Sequence, residues 1–121
     1  MLTIYTYANC STCSKATAFL RKHDVPFVEK PIREQPPTLK ELTAMLAIVG
    51  ERKRLFNSSG LDYRRMHIGE KLTQLSDLQV LHLLAANGNL IKRPFLLFKD
   101  GGLIGFKPEV WSEQLETMAR A

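Results

Sequence analysis

Residues Leu2-Thr3-Ile4-Tyr5-Thr6-Tyr7 set apolar and aromatic side chains against threonine, a pattern that predicts a strand. Ala8-Asn9 turns the chain, and the period then changes. Ala16, Phe19 and Leu20 recur at helical spacing, with Lys15, Arg21 and Lys22 on the outside. His23-Asp24 ends that helix, and Pro26 opens a short second strand through Phe27-Val28. A parallel strand–helix–strand unit needs a right-handed crossover and sets an α/β class.

The next stretch is helical throughout. Gln35-Pro36-Pro37 breaks the chain, and Thr38 with Glu41 forms a capping box ahead of an apolar stripe of Leu39, Leu42, Met45, Leu46 and Val49. Gly50 stops this helix, and a shorter one is expected from Glu51 to Phe56. Asn57-Ser58-Ser59-Gly60 has loop composition, and Tyr63–Met66 reads as a helical turn. Ser76 with Gln79 is a second capping box, opening a helix that buries Leu78, Leu81, Leu84 and Ala85 and closes near Asn87-Gly88. An apolar strand, Phe95–Phe98, then meets Leu103–Phe106 across the hairpin signal Asp100-Gly101-Gly102. Pro108 begins a closing helix with Val110, Trp111, Leu115 and Met118 on its apolar face. The order β-α-β, helices, β-β-α is that of a thioredoxin-like fold: one α/β domain over 1–121 with a four-stranded mixed sheet. Its core is residues 1–35 and 89–121, and residues 36–88 form an all-helical insertion between the two halves.

Composition narrows the class of function only modestly. With 121 residues, 45% of them hydrophobic, the chain has enough apolar surface for a real core. No apolar run approaches the ~20 residues of a membrane span, and Met1-Leu2-Thr3 does not read as a signal peptide. The expectation is a cytoplasmic monomer with no membrane contact. The net charge of +5 comes from scattered basic residues without an aromatic-interleaved run, so direct nucleic-acid binding is not expected. The excess suits an anionic small substrate or an acidic partner.

The chemistry concentrates in Cys10-Ser11-Thr12-Cys13, which holds the only two cysteines and sits where the first helix begins. Unpaired backbone N–H groups and the helix dipole favour a thiolate there. In a reducing compartment such a pair cycles rather than staples the fold; a structural disulfide is the alternative, yet a bridge closing so short a loop adds little stability. Cys10, first in the motif and more exposed, is the expected nucleophile, and Cys13 the thiol that resolves its adduct. His23, His67 and His82 show no ligand spacing to the cysteines, so no metal site is expected. His82 reads as a core-edge residue among leucines, His23 and His67 as surface. Arg52-Lys53-Arg54 and Arg64-Arg65 read as solvated helix faces, and Trp111 and the phenylalanines as core.

Five stretches carry a family resemblance: Cys10-Ser11-Thr12-Cys13-Ser14-Lys15-Ala16; Glu34-Gln35-Pro36-Pro37-Thr38; Leu55-Phe56-Asn57-Ser58-Ser59-Gly60 with Tyr63-Arg64; Leu90-Ile91-Lys92-Arg93-Pro94; and Gly105-Phe106-Lys107-Pro108. In this order, and over nearly the whole chain, they resemble the arsenate reductase–Spx family of thioredoxin-like proteins, within it the small reductase-like members. The resemblance implies a cis bond before Pro94, facing the cysteine loop. It also implies that Arg93 lies beside the nucleophile, where it stabilises the thiolate or holds an oxyanion. Pro94, Asn57, Arg64 and Lys107 are the substrate-binding residues it suggests, with Asn57 to Gly60 and Arg64 set to contact an anionic thiol such as glutathione. Arsenate reductases of the glutaredoxin-coupled type carry one essential cysteine and three arginines; here Asn57 and Lys107 stand where two of those arginines would be, and the motif has two thiols. The implied function is a thiol-dependent oxidoreductase acting on a small thiol or oxyanion. It would hold no tightly bound cofactor and be reduced by glutathione or by a thioredoxin or glutaredoxin. The alternative is an Spx-type redox-sensing regulator that binds the RNA polymerase α subunit; the loop at Asn57 favours the reductase-like members.

Overall fold

The computed structural model describes residues 1–119. In chain order it forms β1 (Leu2–Thr6), α1 (Ser11–Lys22), β2 (Phe27–Pro31), α2 (Leu39–Val49), a 3-10 turn at Arg52–Leu55, α3 (Leu61–Arg65) and α4 (Ile68–Lys71). A second 3-10 turn at Leu72–Gln74 leads to α5 (Asp77–Ala86), a third at Gly88–Leu90 to β3 (Phe95–Phe98) and β4 (Gly101–Ile104), and then come α6 (Pro108–Glu113) and α7 (Leu115–Ala119). The chain divides into two compact units, Met1–Pro31 together with the segment from Arg93 onward, and Ile32–Lys92.

In the first unit the strands run in the order β2-β1-β3-β4. β1 pairs in parallel with β2, Leu2 opposite Phe27, and antiparallel with β3, Tyr5 opposite Phe95. β3 and β4 form a hairpin as expected, but the turn is Lys99-Asp100, and Gly101 and Gly102 already pair in β4, Phe98 opposite Gly101. The mixed four-stranded thioredoxin-like sheet predicted from the sequence is therefore present. Burial follows strand position: Leu2, Ile4, Tyr5 and Thr6 of β1 and Phe95, Leu96 and Phe98 of β3 are buried, whereas Val28 of edge strand β2 is exposed. Leu2, Ile4, Ala16, Leu20, Val25, Leu96, Phe98, Trp111 and Met118 form one apolar cluster beneath which α1 is anchored by Ala16 and Leu20. The Trp111 indole N–H donates to the Gly105 carbonyl at 3.1 Å, satisfying its polar edge inside that cluster.

Two expectations change here. The closing helix is split: Gln114 N–H bonds back three residues to Trp111, and the chain restarts as α7. β4 ends at Ile104 rather than Phe106, because Gly105 takes φ +73° and its N–H turns to the Pro94 carbonyl at 2.9 Å.

In the second unit both capping boxes form. Thr38 Oγ1 accepts the Glu41 N–H at 3.2 Å while Glu41 accepts the Thr38 N–H at 2.9 Å, and Ser76 and Gln79 repeat the exchange on α5. Gly50 ends α2 in the left-handed region at φ +77°. The expected helix at Glu51–Phe56 is only the 3-10 turn, with Glu51 and Phe56 extended on either side. Leu78 and His82 are exposed, against expectation, because α5 buries Val80, Leu81 and Leu84 and both lie on its opposite face. Arg52 is not a solvated charge. Its guanidinium donates to the Leu72 carbonyl at 2.6 Å and to the Leu75 carbonyl, and pairs with Asp77 at 3.4 Å, tying the short turns to α5.

Candidate active site

The segment Tyr7–Cys10 is a tight turn that carries the chain from β1 into α1, closed by the Cys10 N–H on the Tyr7 carbonyl at 3.1 Å. Cys10 is then the N-cap of α1 (φ −106°, ψ 112°), and its sulfur takes the part that a serine or aspartate oxygen usually plays. The Cys13 N–H donates to Cys10 Sγ at 3.3 Å, and the Thr12 hydroxyl lies 3.5 Å from the same sulfur. The two cysteines approach to 3.0 Å and are not bonded to each other. Cys10 is half-buried and Cys13 is fully buried.

These surroundings divide the two thiols sharply. Burial raises the Cys10 thiol, but hydrogen bonds from the Cys13 thiol, the Thr12 hydroxyl, the Cys13 amide and the Arg93 guanidinium outweigh it, leaving the thiol below its ordinary 9.0. Cys13 is pushed up to about 12, first by burial, then by donating to Cys10 and by the negative charge gathered there; a hydrogen bond donated from the Tyr7 backbone and the charge of Arg93 pull the other way without offsetting these. One sulfur is set up as a thiolate and its neighbour as a proton-bearing thiol.

Arg93 and Pro94 belong to the same unit. Their peptide bond is cis, as the resemblance implied, and Pro94 is buried just before β3. The Arg93 guanidinium lies over the Tyr7 ring, with Cζ 4.7 Å from its centroid, and Nη1 is buried without a hydrogen-bond partner among the described residues. The structure thus brings Cys10, Cys13 and Arg93 together. Lys107, in the same unit, is exposed and caps α6 with its backbone alone, its carbonyl accepting the Trp111 N–H at 3.0 Å.

Asn57 and Arg64 lie in the second unit. Asn57 opens the loop as a turn: its carbonyl accepts the Gly60 N–H at 3.1 Å, its N–H donates to the Leu90 carbonyl at 2.8 Å, and its side-chain amide packs where a Cβ on Gly60 would sit. Arg64 is exposed on α3. Among the described residues no group of three His, Cys, Asp or Glu side chains is placed to hold a metal ion, and no helix is long and apolar enough to cross a membrane. The sequence reading missed Tyr7 and Thr12. The threonine inside the motif was a usable signal; the tyrosine gave none, because its contact is made across the fold.

A thioredoxin-like sheet with a dithiol at the N-terminus of its first helix and an arginine–cis-proline step before β3 defines the class. The ArsC family model matches residues 5–114, and the chain belongs to that family. It is 41% identical over 113 residues to the uncharacterized protein YusI of Bacillus subtilis, covering 93% of this chain and 96% of that protein. It is 30% identical to the global transcriptional regulator Spx of Enterococcus faecalis, covering 90% of this chain and 82% of the regulator. Among solved structures, a possible arsenate reductase from Streptococcus mutans superposes with a TM-score of 0.85 at 37% identity, covering 93% of this chain and 98% of that one.

Proposed function

We propose that this chain is a thiol-dependent oxidoreductase, reductase-like within the ArsC family, with Cys10 as nucleophile and Cys13 as resolving thiol. The observation that carries the reading is the opposed tuning of two thiols 3.0 Å apart, one depressed and one pushed up to about 12. In the proposed sequence the Cys10 thiolate attacks a disulfide sulfur of the substrate. A new S–S bond forms, the substrate's own S–S bond breaks, and one thiolate leaves and takes a proton. With Cys10 in covalent linkage, both the negative charge and the hydrogen-bond acceptor that held the Cys13 proton are gone, while Arg93 remains. Cys13 then loses its proton and attacks Cys10 Sγ, the second substrate thiolate leaves, and a Cys10–Cys13 disulfide remains. Two electrons have passed to the substrate, and an external thiol, glutathione or a thioredoxin or glutaredoxin, returns them.

Arg93, by its charge and its unpaired donor, is the group proposed to steady the thiolate and an anionic substrate. Pro94, Asn57, Arg64 and Lys107 are the proposed substrate contacts. With asparagine and lysine at two positions where the arsenate reductases carry arginine, arsenate itself is a poor fit. Arsenate-dependent NADPH consumption in a coupled glutathione–glutaredoxin assay is expected to stay at background. The central test is a trap: Cys13→Ser accumulates mixed disulfides on Cys10 in cell extract, and Cys10→Ser accumulates none and loses turnover. Full thiol–disulfide exchange activity in Cys10→Ser would refute the scheme.

The identity to Spx favours a second reading, a redox-sensing regulator that engages the RNA polymerase α subunit. Co-purification of this chain with that subunit, lost on oxidation of the dithiol, would support it over the enzyme.

A further inference from the structure

Tyr7 is the first residue beyond β1, and its contacts converge on the site. Its carbonyl accepts the Cys10 N–H at 3.1 Å, a hydrogen bond donated from its backbone favours the Cys13 thiolate, and its ring lies under Arg93 with Cζ 4.7 Å from the centroid. Arg93 has no carboxylate within ion-pair distance among the described residues, and its Nη1 is buried without an acceptor. A long, rotatable side chain in that state needs something other than a salt bridge to orient it. A carboxylate would fix the guanidinium but would also cancel the positive charge that the Cys10 sulfur draws on. An aromatic face attracts the guanidinium plane and leaves the charge intact.

We propose that Tyr7 is a positioning residue whose ring face holds the Arg93 guanidinium, uncancelled, beside Cys10. This rests on the reading that Arg93 supports the Cys10 thiolate, and adds how the guanidinium is held for that task. The ring does the holding and the hydroxyl takes no part. Leucine at this position would fill much of the volume while offering no π face.

The test is the pH dependence of iodoacetamide alkylation at Cys10 in the reduced chain, followed by intact mass. Arg93→Met is expected to raise the midpoint. Tyr7→Leu is expected to raise it too, slowing alkylation at neutral pH by about threefold or more, while Tyr7→Phe stays within about twofold of the parent. In the double variant Tyr7→Leu/Arg93→Met the midpoint equals that of Arg93→Met alone, since no guanidinium is left to position. An equal additional shift from Tyr7→Leu in both backgrounds overturns the proposal, because a general packing defect does not depend on Arg93. No shift from Tyr7→Leu while Arg93→Met does shift sinks the Tyr7 role alone; no shift from Arg93→Met removes the arginine from the proposed function and Tyr7 with it. Should Tyr7→Leu fail to fold, a pentafluorinated phenylalanine at position 7 keeps the ring's shape and reverses its quadrupole. Slowed alkylation then supports the proposal, and an unchanged rate overturns it.

Discussion

At Cys10 the position in the helix matters more than exposure. A half-buried thiol would ordinarily rise, yet as N-cap it collects the Cys13 amide, the Thr12 hydroxyl, the Cys13 thiol and Arg93, and their sum reverses the sign. At neutral pH iodoacetamide is therefore expected to add once, at Cys10, faster than to an ordinary thiol and with a midpoint below 9.0, leaving Cys13 near 12 untouched. First labelling at Cys13, read by peptide mapping, would show the assignment to be inverted. Thr12→Val should slow the reaction by about twofold by removing one neutral donor. Gly88 shows another residue-scale cause. The sequence suggests a helix stop, but Asn87 is the cap, and a Cβ on Gly88 would sit 1.9 Å from the Ile32 carbonyl oxygen. Its φ is ordinary, so the glycine serves close backbone approach. Gly88→Ala is expected to destabilise the fold by about 2–3 kcal/mol in urea titration, since backbone must move to make room.

Among the elements, α2 and α5 owe their starts to local chemistry, and both were legible. Thr38→Ala removes a capping box whose two bonds are in place and should cost about 1 kcal/mol. An effect as large as that of Gly88→Ala would mean that the cap carries tertiary as well as local weight. Arg52 belongs to the same scale but was not legible. Three consecutive basic residues read as a wet surface, whereas the carbonyls of Leu72 and Leu75 and the Asp77 carboxylate that hold Arg52 come from turns about twenty residues away. Arg52→Met keeps the apolar stem and abandons those buried carbonyls. The expected loss of roughly 1–3 kcal/mol should exceed that of Lys53→Met, which serves as the exposed control.

For the whole molecule, the two thiols make opposite contributions to stability against pH. Cys10 is depressed in the folded state, so its contribution is present above the unfolded value of 9.0 and fades as pH falls through the folded value. Cys13 is raised, so the unfolded chain gives up that proton above 9.0 while the folded chain keeps it to about 12. The unfolded state then binds fewer protons, and stability declines as pH rises across that window. Cys13→Ser is expected to lose stability less steeply than the reduced parent between those values, measured as urea midpoints at a series of alkaline pH values. Parallel curves would mean that Cys13 titrates normally in the fold.

Features that depend on neighbours along the chain were readable from the residues alone. Strand and helix periods gave the thioredoxin-like order, Ser/Thr and Glu/Gln at three-residue spacing marked two helix starts, and two cysteines at a helix start marked the chemistry. Tertiary structure decided what depends on groups distant in sequence. It chose which face of α5 is buried, and so left Leu78 exposed; it gave Arg52 its carbonyls and Gly88 its reason; and it laid Arg93 over Tyr7, 86 positions apart in numbering. Periodicity and capping act over a few residues, whereas burial, desolvation and ring stacking arise only when the fold brings distant residues together.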